Sequence, residues 1–262
     1  MSKALTTIAS TAVLLAVGAG PVLAEDEESD ALTVRPVEGW TCKYNEGKGR
    51  ADLDKVNAKW NEWMDEHDQN DYVAFIMTPQ FFGELTFDVA WIGVARDGHV
   101  FGSGTDLWLN EGGDVGAMFA EVITCSSHSA FISMNVKRMP PNDEEGDGQF
   151  VLNFSNCSFK KEGEGVFDEF MAAQKEWNAY ADEHGFDYNA WIWWPMYGET
   201  DDSYDFKYVA GSSDYTAVGA NWQLYADGHW KKSSDLFDGL LDCDSSRVYD
   251  ATMVREWADE DD

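Results

Sequence analysis

Between Asp52 and His67 the apolar side chains Leu53, Val56, Trp60, Trp63 and Met64 recur at spacings of three and four. That period predicts an amphipathic helix over Asp52–His67. Alternation before it predicts a first strand from Trp40 to Glu46. A second strand is predicted over Tyr72–Thr78, closed by Pro79, and a third over Phe87–Ala95. Val115, Met118, Phe119, Val122 and Ile123 share one face of a second helix that starts near Asp114, the expected N-cap. A last strand covers about Ser127–Val136. The order is β-α-β-β-α-β, with Gly98–Gly113 as extra sequence before the second helix.

The same pattern returns. Trp60-Asn61-Glu62-Trp63-Met64-Asp65-Glu66-His67 reappears 117 positions later as Trp177-Asn178-Ala179-Tyr180-Ala181-Asp182-Glu183-His184. Cys42 matches Cys157, Ala74 and Ile76 match Ala190 and Ile192, Asp88 matches Asp205, Trp91 matches Tyr208, and Cys125 matches Cys243. The second helix stripe is Phe170, Ala173, Trp177, Tyr180, Ala181 and His184; a further helix starts near Ser234, and the last strand runs Arg247–Val254. A hairpin is expected around Ala226-Asp227-Gly228, because Asp-Gly favours a tight turn. A near-constant offset over this length implies duplication. The expected organisation is repeat 1 over 36–138, an acidic Pro/Gly linker over 139–149, repeat 2 over 150–257 and an acidic tail over 258–262.

This order and duplication resemble the dimeric α/β-barrel superfamily, in which two ferredoxin-like sheets face each other. The resemblance implies an α+β chain whose tandem ferredoxin-like repeats form a pseudo-twofold α/β barrel. It carries over no catalytic residue. In a ferredoxin-like sheet the first and last strands are antiparallel neighbours, so Cys42–Cys125 and Cys157–Cys243 are the expected disulfides. The alternative, a metal site at Cys125-x-x-His128, lacks a second ligand pair, and copy two has Ser246 in place of His128.

Charge narrows the partners. Lys plus Arg number 18 against 49 Asp plus Glu, a net charge of −31 in 262 residues. Nucleic acid and anionic membranes need a basic footprint, so neither is an expected partner. The densest acidic loop, Asn142–Gly148, lacks the spacing of a calcium loop. At the N-terminus, Lys3 precedes a short apolar run centred on Val13–Val17, and Val22-Leu23-Ala24 offers an A-x-A-like cut. These features predict a secretory signal peptide over 1–24, an acidic segment over 25–35, and a secreted or periplasmic mature chain.

Chemistry is less legible. No nucleophile elbow, phosphate loop, zinc helix or dinucleotide fingerprint occurs, and no cofactor is implied. His67 and His184 end matching helices, where an imidazole meets the free carbonyls. His99, His128 and His229 remain as candidate general bases. Asp88 and Asp205 are expected to hold turns. The 12 tryptophans are an excess. Alternation puts Phe75 and Met77, and Trp191 and Trp193, on one strand face, with Trp91 and Tyr208 expected to join them inside the barrel. Trp108 and Trp222, in the extra segments, are expected to cover its mouth. The expected function is binding of a small apolar or aromatic ligand in that inter-repeat cavity, by a monomer or homodimer. The alternatives are a cofactor-independent oxygenase- or isomerase-like enzyme using the same cavity, and a solid-core structural or assembly protein.

Overall fold

The computed structural model describes residues 33–139 and 148–257. The predicted signal peptide, the acidic loop 140–147 and the tail 258–262 lie outside the described residues. In the first half β1 (Val34–Tyr44), α1 (Arg50–Glu66), β2 (Tyr72–Phe81) and β3 (Val89–Ala95) precede α2 (Gly98–Glu111), α3 (Gly113–Val122) and β4 (Ile123–Lys137). In the second half β5 (Gln149–Phe159), α4 (Val166–Glu183), β6 (Asn189–Tyr197) and β7 (Phe206–Ser212) come first. Then follow α5 (Tyr215–Leu224), a π-helical turn (Tyr225–His229), α6 (Trp230–Phe237), β8 (Leu241–Cys243) and β9 (Arg247–Arg255).

The strands pair in the order β4-β1-β3-β2 in one half and β9-β5-β7-β6 in the other, all antiparallel. Pairs β4–β6 and β2–β9 join the halves, which closes an eight-stranded antiparallel barrel. Short β8 extends the β9 side of β5. Two boundaries moved for local reasons. Pro79 stays inside β2, opposite Tyr249 of β9, rather than ending it. The extra segments are helices rather than loop and hairpin. Asp97 caps α2 by accepting from the amides of His99 and Val100 at 2.7 and 2.9 Å, and Asp214 caps α5 by accepting from Ala217 at 2.7 Å. The Asp227-Gly228 hairpin is absent; Gly228, at φ 121°, kinks a helical segment instead.

Helices α1 and α4 bury their sequence stripes, whereas Met118 of the stripe expected on α3 is exposed. Leu53, Val56, Trp60, Trp63 and Met64 are buried on α1, and Phe170, Ala173, Trp177 and Ala181 on α4. The His67 and His184 rings bond the carbonyls of Trp63 and Tyr180 at 2.7 and 2.8 Å, which caps both helices. Asp88 accepts from the Tyr44 amide at 3.0 Å and Asp205 from the Phe159 amide at 2.7 Å, the same tie in each half. Disulfides join Cys42 to Cys125 and Cys157 to Cys243, between register partners whose Cα atoms lie 3.8 and 4.1 Å apart.

The barrel interior is a packed core. Phe75, Met77, Phe131, Phe154, Trp193 and Tyr249 interlock there, with Phe154 edge-on to Trp193 at 5.2 Å. Trp191 packs against the same cluster. The expected inter-repeat cavity is therefore not where these side chains meet. Trp91 and Tyr208 point the other way. Trp91 pairs with Ile76 and Tyr208 with Ile192, and paired residues share a face, so both lie under the helices.

Candidate ligand site

The cavity lies outside the barrel, between the first-half sheet and α1, α2 and α3. It measures about 520 Å³, within the range of small-molecule sites. Aromatic rings make most of its wall: Trp40, Trp60, Trp63, Trp91, Trp108 and Phe119. Their mutual order is edge-to-face, with Trp60 against Trp91 at 5.1 Å and Trp63 against Trp108 at 5.4 Å. Such contacts hold each ring in place before any ligand arrives. The Cys42–Cys125 disulfide forms part of the floor.

One edge is polar. Glu38 on β1, Tyr72 on β2 and His128 on β4 all line the cavity. The Tyr72 hydroxyl donates to Glu38 Oε1, and His128 Nε2 donates to Glu38 Oε2 at 3.0 Å. The His128 ring stacks flat on Trp40, 3.9 Å between centroids and 10° between planes. Burial, then the Glu38 carboxylate, hold the Tyr72 phenol well above the usual tyrosine range, so it stays a donor.

Gly93 makes this arrangement available. It stands on β3 between its partners Ala74 of β2 and Glu38 of β1. A Cβ there would sit 1.7 Å from the Tyr72 hydroxyl. Tyr72 thus crosses β3 over a bare backbone to reach Glu38. Gly93→Ala is expected to displace Tyr72, leave Glu38 short of a donor and cost about 2–3 kcal/mol. Urea denaturation measures it; unchanged stability would show that Tyr72 is not held by this crossing.

The second half is an internal comparison. Ser155 and Ser246 bond each other at 2.7 Å where Trp40 and His128 stack. Asn153 replaces Glu38 and Ala210 replaces Gly93 at matched register positions. Tyr188, the counterpart of Tyr72, instead accepts from Trp177 Nε1 at 2.5 Å and contacts Tyr208. The strand order is the same in both halves, while the Glu38–Tyr72–His128 edge belongs to the first.

Of the residues expected to bind ligand, Trp91 and Trp108 line this cavity. Phe75, Met77, Trp191 and Trp193 belong to the barrel interior, Tyr208 to the second-half core, and Trp222 is 70% exposed on α5. Sequence reasoning missed Glu38, Tyr72 and Gly93. The signal available was the departure between copies at matched positions: Gly93 against Ala210, and His128 against Ser246. Cys125 is committed to a disulfide, so Cys125-x-x-His128 cannot ligate a metal. Among the described residues no group of three His, Cys, Asp or Glu side chains is placed to hold one, and no helix is long and apolar enough to cross a membrane.

No protein-family model and no curated protein sequence matches the chain. Solved structures do. A candidate chlorite dismutase aligns with a TM-score of 0.50 at 14% identity, over 85% of this chain and 96% of its own. A candidate monooxygenase of Lactobacillus acidophilus aligns at 0.49 and 10% identity, over 85% and 95%. A heme-binding protein of Thermus thermophilus aligns at 0.47 and 10% identity, over 84% and 93%. At these identities the likeness is one of fold: the chain is similar in architecture to chlorite dismutase-like proteins of the dimeric α/β-barrel type.

Proposed function

We propose that this chain binds a small, uncharged, ring-bearing molecule between the first-half sheet and α1, α2 and α3. The observation that carries the reading is the cavity itself, whose lining includes five tryptophans and no Lys or Arg. Such a wall offers area and stacking to a planar apolar ligand and no counter-ion to an anion. The same lining argues against heme. A porphyrin with two carboxylates would find Glu38 and no cation, and the one imidazole there is bonded to Glu38 and stacked on Trp40. The strand order common to both halves supports reading the chain as tandem ferredoxin-like repeats, 36–138 and 150–257. The apolar run and Ala24 cut site support secretion.

The test is a titration with N-phenyl-1-naphthylamine, a neutral aromatic fluorophore. Trp108→Ala is expected to weaken binding about tenfold or more, since it removes one wall with its edge-to-face contact. Trp222→Ala, on the exposed face of α5, is expected to leave binding unchanged. Trp193→Ala is expected to lower stability by about 3–5 kcal/mol as a core truncation while the surviving folded protein still binds. Binding lost in Trp193→Ala but kept in Trp108→Ala would place the ligand inside the barrel and refute the proposal.

A further inference from the structure

We infer that the cavity selects a ligand carrying a weakly acidic hydroxyl on its ring, a phenol, and that His128 takes the hydroxyl proton. The inference rests on the binding reading above and deepens it. Three observations carry it. First, Glu38 accepts from two donors, Tyr72 at one oxygen and His128 at the other, so each carboxylate oxygen already holds a protein donor. Second, that engagement fixes His128 as the tautomer with its proton on Nε2. In the neutral ring the lone pair is then on Nδ1, which has no hydrogen-bond partner among the described residues. Third, the ring cannot turn freely, being stacked on Trp40 and anchored at Nε2.

A carboxylate that orients an imidazole and leaves its second nitrogen as acceptor is the arrangement general-base chemistry requires. The titratable groups against His128 are Glu38 from β1 and Tyr72, through Glu38, from β2; no Lys or Arg lines the cavity. A phenol lying on the tryptophan wall would present its O–H to Nδ1. The proton moves from ligand oxygen to Nδ1, leaving a phenolate beside an imidazolium that Glu38 balances. No oxidant or other reactant enters this step. The Ser155–Ser246 pair of the second half offers no such acceptor backed by a carboxylate.

The probe pair is 3-nitrophenol and its methyl ether, 3-nitroanisole, at about pH 7.5, where the free phenol is mostly protonated and an ordinary imidazole is neutral. The native protein is expected to bind the phenol about tenfold more tightly than the ether and to show the phenolate absorption band of the bound probe. His128→Gln, at a half-exposed position, is expected to retain the fold and to bring phenol and ether to equal affinity, with the band lost. Glu38→Gln is expected to weaken the band with His128 still present, and its near-ultraviolet circular dichroism checks the fold. Equal binding of both probes with no phenolate band would overturn the inference and leave the binding reading standing. A phenol preference that survives His128→Gln would also overturn it. Failure of both probes to bind would remove the binding reading and the inference together.

Discussion

Raising the pH from 10 to 12 is expected to unfold the protein, with stability falling by about 5 kcal/mol per pH unit once above the ordinary tyrosine pKa. The cause is a set of partly buried phenols. Tyr72 and Tyr208 are held well above the usual value by burial first and by neighbouring groups second. Burial pushes Tyr188 up to about 12. Tyr204, bonded to Glu199 at 2.6 Å, is also raised, by burial and then by that carboxylate. The native chain keeps these protons while the unfolded chain releases them above pH 10. The unfolded state then binds fewer protons, so unfolding becomes easier as pH rises; below pH 10 the contribution is fully present. Four such groups at about 1.4 kcal/mol per unit give the quoted slope. Lys207 works in the opposite sense. Burial lowers its pKa from 10.5, so its contribution grows with pH between its folded value and 10.5, and it offsets one tyrosine only there. Total stabilities are about 5–15 kcal/mol, so the slope exhausts them within a few units. Tyrosinate absorbance and far-ultraviolet circular dichroism should show late phenol ionisation coinciding with loss of structure. Ten tyrosines all titrating near pH 10 in an intact fold would refute this.

Removing the first-half disulfide by Cys42→Ala with Cys125→Ala is expected to cost about 4–5 kcal/mol. The bridge spans 83 positions, and opening a loop of that length restores much unfolded-state entropy. The Cys157–Cys243 bridge spans 86, so its removal should cost about the same. Ligand binding separates the two. Cys42 and Cys125 form part of the cavity wall, next to the β1–β4 pairing that sets Trp40 beside His128. The first pair of substitutions is expected to weaken N-phenyl-1-naphthylamine binding in the fraction still folded, and the second pair to leave it intact. Denaturant melts and titrations on both variants measure this; equal losses of binding would show that the cavity depends on global stability rather than on its own wall.

The helix stripes of α1 and α4, the capping histidines and the cysteine partners were legible because each leaves a periodic or paired mark. Strand faces were legible only where one face differs from the other. On β2 the matched Ala74 and Ile76 mark the helix side, and Phe75 and Met77 did turn inward. On β3 both faces are apolar: Val89 and Trp91 outside, Ala90 and Ile92 inside. Alternation alone then gives no sign, and the register that pairs Ile76 with Trp91 is set across a connection whose length does not determine it. The helical identity of Gly98–Glu111 was hidden by its glycines and by the Asp97-Gly98 dipeptide, which reads as a turn but serves as an N-cap. The Glu38–Tyr72–His128 cluster was hidden because it gathers three strands at one edge, and no spacing along the chain records that.

The most direct test of the account is the set of tryptophan indole resonances in ¹⁵N-labelled protein, followed by NMR during titration with a neutral ring-bearing probe. The account predicts that the indoles of Trp40, Trp63, Trp91 and Trp108 shift with the probe, while those of Trp191, Trp193 and Trp222 hold still. Shifts concentrated on Trp191 and Trp193, with the first-half cavity silent, would contradict it.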